Sequence, residues 1–222
     1  MARLPRLALA GQAHWLSQQA HGTGPAFADD TDRRGYLAVL LDAARAEDVR
    51  LHAYALLATE MHLLASPSRA ESLGRLMQAV GRRYVSAYPR RHGGSGTLWN
   101  GRFRCALVQA GEPLLDVLCL LDGLSPEPGH TSLAHRATDE RLALITDPPE
   151  YWSLGNTPFD RQARWHDRVA EGLPETTRQA LLAAAHGGWV IGSADFRRQV
   201  AEETDRPAAP RPRGRPPAAR AG

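Results

Sequence analysis

A carboxylate and an imidazole stand two residues apart at Glu60 and His62, inside the run LLATEMHLLAS from Leu56 to Ser66. The run is short and apolar, the composition of a buried strand. Side chains on a strand alternate between faces, so Glu60, His62 and Leu64 share one face and Met61 and Leu63 take the other. An oxygen and a nitrogen on one face can share a divalent metal such as Mn or Mg, and such an ion stabilises the charge that develops when a phosphodiester is displaced. The plainer alternative leaves Glu60 at a turn in water and His62 hydrogen-bonded in the sheet, because two ligands alone do not make a metal site. Tyr84 and Tyr88 are four residues apart, hence on one helical face. A tyrosine hydroxyl is a covalent nucleophile when a base or metal assists it; otherwise the pair belongs to an aromatic stripe packed on a sheet.

The basic residues are all Arg, 27 of them, and they are unevenly placed. Residues 1–68 have net charge −1, residues 69–110 net +7, residues 111–205 net −8 and residues 206–222 net +5. Such asymmetry suggests a polyanionic partner. Arg82, Arg83, Arg90, Arg91, Arg102 and Arg104, with Trp99 and Phe103 interleaved, have the make-up of a nucleic-acid surface. The tail holds Pro212-Arg213-Gly214-Arg215-Pro216. Two arginines around a glycine can lie in a narrow A·T minor groove, as in an AT-hook core, and the alternative is a merely basic tail. Hydrophobic content is 43%. No apolar run approaches the roughly 20 residues that span a bilayer, and Pro5 interrupts the apolar part of the N-terminus, which reads against a signal peptide. Cys105 and Cys119 make neither a metal-spaced pair nor a disulfide framework, so the expected location is cytoplasmic, beside the nucleoid. No nucleotide cofactor is expected.

These residues need elements to hold them. Gln12 to Gln19 reads as a first strand. The stretch DDTDRRGYLAVLLDAARAEDV reads as a helix capped by Asp30 or Thr31, with apolar residues at Tyr36, Val39, Leu40 and Ala43. RLHAYALLATEMHLLAS reads as two strands with a turn near Ala58 and Thr59. A helix follows with Leu73, Leu76, Met77, Val80, Tyr84 and Tyr88 on one stripe, ended by HGGSG. TLWNGRFRCALVQ is a further strand and EPLLDVLCLLDGL a helix. The order β-α-β-β-α-β-α predicts an α+β fold, a ferredoxin-like or RNA-recognition-motif-like antiparallel sheet with helices on one face. The other face would be free for ligand. Residues 1–130 form this domain. Residues 131–205 read as a helical appendage, with Thr157 and Ser193 as caps and Pro158 and Pro174 as first-turn residues. Residues 206–222 read as a disordered Arg/Pro tail.

LHAYALLATEMHLL together with GTLWNGRFRCALV resembles the REP-associated tyrosine transposases, within the single-tyrosine, insertion-sequence-200-like superfamily marked by a histidine-hydrophobe-histidine (HUH) motif. MARLPRL, FADDTDRRGYLAVL, RRYVSAYPRRHGGSGTLWNGRF, HGGWVIGSADFRR and the closing RGRP fall in the family order. The resemblance implies DNA transposition on an RNA-recognition-motif-like sheet. It implies two histidines holding a divalent metal, a tyrosine that attacks DNA, a polar residue four positions on, recognition of single-stranded hairpins, and a homodimer. Carried over by position, the first histidine falls on Glu60 and the second on His62. The nucleophile position falls on Leu121 and the last metal ligand on Ser125. A leucine cannot attack phosphorus. The resemblance therefore implies a DNA-binding protein with strand transfer lost or impaired. Two alternatives stay open: an active enzyme using Tyr84 or Tyr88 instead, and a decayed product or RNA-binding module.

Overall fold

The computed structural model describes residues 6–22, 24–93 and 96–210. Arg213, Gly214 and Arg215, the expected minor-groove element, lie outside them. The first part of the chain runs β1 (Ala13–Gln19), α1 (Asp30–Ala46), β2 (Val49–Leu57), β3 (Glu60–Pro67), α2 (Ser72–His92), β4 (Arg104–Val108) and α3 (Glu112–Asp122). The strands form one antiparallel sheet in the order β2-β3-β1-β4. The expected α+β fold is therefore present. The β2–β3 hairpin turns at Ala58 and Thr59, with Leu57 opposite Glu60. The cap of α1 is Asp29, whose side chain accepts the Asp32 N–H, one residue before the expected position. Gly93 ends α2 at φ +68, a backbone that glycine adopts without strain.

Alternation along the strands builds the two larger of the three cores among the described residues. Leu16, Tyr54, Leu56, Met61, Leu63 and Ala65 face α1 and α2, whose stripes bring Tyr36, Leu40, Leu76, Val80 and Tyr84 onto them. Trp15, Ala53, Leu64, Ala106 and Val108 face the other way. The expectation that this second face is free is corrected by the structure: α3 and the appendage cover most of it. Leu114, Leu118 and Leu121 of α3 pack there, joined by Tyr151, Trp165, Leu181 and Ile191. The physical reason lies in β1 to β3, which are apolar at successive positions, the pattern of strands buried on both faces.

The appendage comprises α4 (Leu133–Ala137), α5 (Pro149–Trp152), α6 (Pro158–Glu171), α7 (Glu175–Gly187) and α8 (Ala194–Thr204). Thr157 and Ser193 cap α6 and α8 by accepting the Asp160 and Phe196 N–H groups. Pro158 is in the first turn of α6, and Pro174 caps α7 rather than entering it. A buried ionic knot ties the appendage to the sheet. Arg136, fully buried, donates to Asp122 at 2.8 Å and to the His52 carbonyl, and its Nε lies 3.0 Å from Asp147. Asp122 also accepts from Ser132 and from the Trp165 indole. Ile191 bridges in parallel to Val108, covering that part of the β4 edge.

Candidate nucleic-acid interface

Sheet register sets the site. Ser17 of β1 lies opposite His62 on β3 and opposite Arg104 on β4. His62 and Arg104 therefore stand on one face two strand spacings apart, about 10 Å. Gln19 lies opposite Glu60 in the next row. This end of the second face is the part that the appendage leaves open.

Glu60 is held from two sides. Gln19 Nε2 donates to Oε1 at 3.0 Å, and His62 Nε2 lies 3.1 Å from Oε2. The hydrogen bond from His62 holds the Glu60 carboxyl below its ordinary value. The other ring nitrogen, Nδ1, accepts the Trp15 indole N–H at 3.2 Å. An indole only donates, so Nδ1 carries the lone pair and Nε2 the proton of the neutral ring.

That arrangement bears on a metal. Nε2 spends its hydrogen on Glu60, which leaves His62 no lone pair to offer an ion. Among the described residues no group of three or more His, Cys, Asp or Glu side chains is placed to hold one. Among the described residues, those present here do not fit a divalent metal. Leu121 is fully buried in the second core. Ser125 follows α3, with its hydroxyl 3.4 Å from His130 Nδ1 and accepting the Glu127 N–H. Neither lines the cavity that Glu60 and His62 share.

Tyr84 and Tyr88, the candidate substitute nucleophiles, lie away from this site. Both sit on α2, across the sheet from Glu60 and His62, since α2 packs on the Met61–Leu63 face. Tyr84 donates to the Ala26 carbonyl at 2.6 Å and Tyr88 to that of Pro25 at 2.7 Å. Burial, then the nearby Asp32, push both phenols above their ordinary value, the wrong direction for a nucleophile.

The open end of the sheet forms a cavity of about 550 Å³. Arg6, Arg102, Arg104 and Arg206 line it, with His62, His186 and Trp189, and among the described residues Glu60 is its one carboxylate. The guanidinium of Arg6 lies 3.7 Å from the centre of the Phe103 ring and donates to the Phe103 carbonyl. Arg206 reaches the Gly188 carbonyl at 3.4 Å. Burial lowers both from their ordinary value, and Arg102 adds to this for Arg6. Among the described residues none of the four pairs with a carboxylate. A second groove of about 650 Å³ runs toward α2 and shares Arg6, Gln18, Arg102 and Phe103 with the cavity.

The arginine block of residues 82–104 is thus divided. Arg102 and Arg104 reach the cavity. Arg83 pairs with Asp42 at 3.0 Å, and Arg91 pairs with Asp29 and Asp32. Arg82 and Arg90 are exposed on α2 and do not line the cavity. Trp99, expected on the surface, is buried against Phe27 and Tyr36. Sequence reasoning missed Arg6, Arg206, His186 and Trp189. The one signal for Trp189 was a tryptophan directly after two glycines, an exposed setting for so large a ring.

No protein-family model matches the chain, and no curated protein does. Among solved structures, the chain is similar to a REP-associated tyrosine transposase bound to a REP hairpin, with TM-score 0.47 and 12% identity, over 55% of this chain and 71% of that one. It is also similar to a candidate transposase from Deinococcus radiodurans, with TM-score 0.38 and 23% identity, over 49% of this chain and 88% of that one. Likenesses this distant leave the function to be read from the cavity itself.

Proposed function

We propose that this protein binds single-stranded or hairpin DNA in the arginine-lined cavity and does not cleave it, as a relative of the REP-associated tyrosine transposases that has lost strand transfer. The carrying observation is the set of four guanidiniums at the open end of the sheet without a carboxylate partner among the described residues. Arg6 and Arg206 are half-buried and Arg102 and Arg104 exposed, and phosphate is the ligand that their planar forks suit. Loss of cleavage is supported by the lack, among the described residues, of a tyrosine beside Glu60 and His62: Leu121 is in the core, and Tyr84 and Tyr88 are on the far face. The Arg213-Gly214-Arg215 element would add contacts to A·T-rich duplex.

The test is incubation of the protein with a labelled single-stranded hairpin and Mn, read on native and denaturing gels. A shift on the native gel with no covalent adduct on the denaturing gel is expected. An adduct would overturn the loss of cleavage. Failure to retard any DNA would overturn the binding reading, and tighter retention of the same sequence as RNA would favour an RNA-binding module.

A further inference from the structure

Glu60 is out of place in a phosphate site. A carboxylate among four arginines would ordinarily pair with one, yet its oxygens instead receive neutral N–H donors from Gln19 and His62. Those donors fix the plane of the carboxylate at the open end of the cavity. Each oxygen has accepted one hydrogen bond there and has capacity for another. Phosphate is repelled at that point, so the part of a bound strand that reaches Glu60 must carry donors.

Trp189 supplies the second observation. Its ring is half-buried in the cavity wall and has no aromatic partner among the described residues. It lies so close over Gly187 that any side chain there would collide with the indole. A flat ring without a partner in a basic cavity is a stacking surface for a nucleobase. The volume of about 550 Å³ is in the range that holds one small ligand.

Resting on the DNA reading above, we infer that the cavity takes one unpaired base of the strand and that Glu60 selects guanine. Guanine presents two adjacent donors on its pairing edge, N1–H and the 2-amino group, which match two carboxylate oxygens side by side. Adenine and cytosine each offer one donor beside a ring-nitrogen acceptor, and thymine offers one N–H between two carbonyls. Each of those sets an acceptor against the carboxylate. Arg104 and Arg206 would take the flanking phosphates.

The experiment is fluorescence anisotropy with dye-labelled thymidine decamers carrying one central guanine, inosine, adenine or cytosine. Guanine is expected to bind about tenfold more tightly than adenine or cytosine, and inosine, which lacks the 2-amino group, about threefold less tightly than guanine. Glu60→Gln should abolish the guanine preference while leaving the adenine decamer within about twofold. Trp189→Ala should weaken all four decamers alike, by about tenfold. Melting curves establish that both variants are folded, and Glu60→Ala gives a second test at the same position. Equal affinity for the four decamers would overturn this inference alone. So would a preference that Glu60→Gln keeps, or one that inosine shares in full, which would place the reading at O6 and N7 and hence at an arginine. Failure to bind any decamer would instead overturn the DNA reading beneath it.

Discussion

At the scale of single residues, the decisive fact is which nitrogen of His62 has the proton. The pairing of an acid with a histidine was legible in the sequence, because alternation on a strand puts Glu60 and His62 on one face. The indole that reaches His62 from Trp15 was not legible, since it comes from a strand 47 residues away in the chain. With both ring nitrogens engaged, millimolar Mn or Mg should leave the melting temperature unchanged. A rise of several degrees with Mn concentration would reveal a bound ion, because ligands that bind only the folded state stabilise it by mass action.

At the scale of elements, α2 and β4 look alike in sequence and behave differently. Both bring arginines. On α2 the charges of Arg83 and Arg91 are met by Asp42, Asp29 and Asp32, whereas on β4 Arg104 has no such partner among the described residues. The acids come from α1 and the loop before it, so sequence-local charge counting overstates the basic face of α2. Arg83→Gln should change DNA affinity by less than about twofold. Arg104→Gln should cost about tenfold, the loss expected for a charge-assisted hydrogen bond, as read by titration at fixed salt. Strand β1 carries a separate liability. His14 is buried, accepting the Leu9 N–H and bonded to the Gln12 carbonyl, and burial lowers its pKa from 6.5 to about 4. The folded chain therefore binds that proton less readily than the unfolded chain. Stability is full above about pH 6.5 and falls as pH drops toward 4, by about 3 kcal/mol once His14 must be charged. Denaturant midpoints measured across that window should show the fall, and His14→Gln should flatten it.

At the scale of the whole molecule, the sheet is a wall with a core on each side. Element order gave the α+β class and most element positions, because periodicity and caps are local signals. Coverage of the second face was harder to read: it depends on where α6 and α7 dock, and Trp165 and Leu181 meet the sheet only through tertiary packing. Residues on both sides of position 130 share that core, and Arg136 fastens them. Arg136→Ala should destabilise the fold by about 3–5 kcal/mol, because Asp122 and Asp147 would be left buried without their cation. Chemical denaturation measures this directly. Four guanidiniums at one end of the sheet, unpaired among the described residues, also predict the ionic response of the complex. If each meets a phosphate of a single strand, the logarithm of the binding constant should fall with the logarithm of salt at a slope of about −3. A slope near zero would mean that the cavity does not meet the backbone at all.

The hydrogen bond from Trp15 to His62 has a practical consequence. The indole proton is 1% exposed at the level of its residue, so it exchanges slowly with water, and it points at an imidazole nitrogen one residue contact away from Glu60. Its proton resonance is a built-in spectroscopic probe of the cavity floor. A nucleotide that settles on Glu60 must perturb His62, and the Trp15 signal would shift with it in an otherwise unlabelled protein. Occupancy of this one position could then be followed separately from charge-driven association elsewhere on the surface.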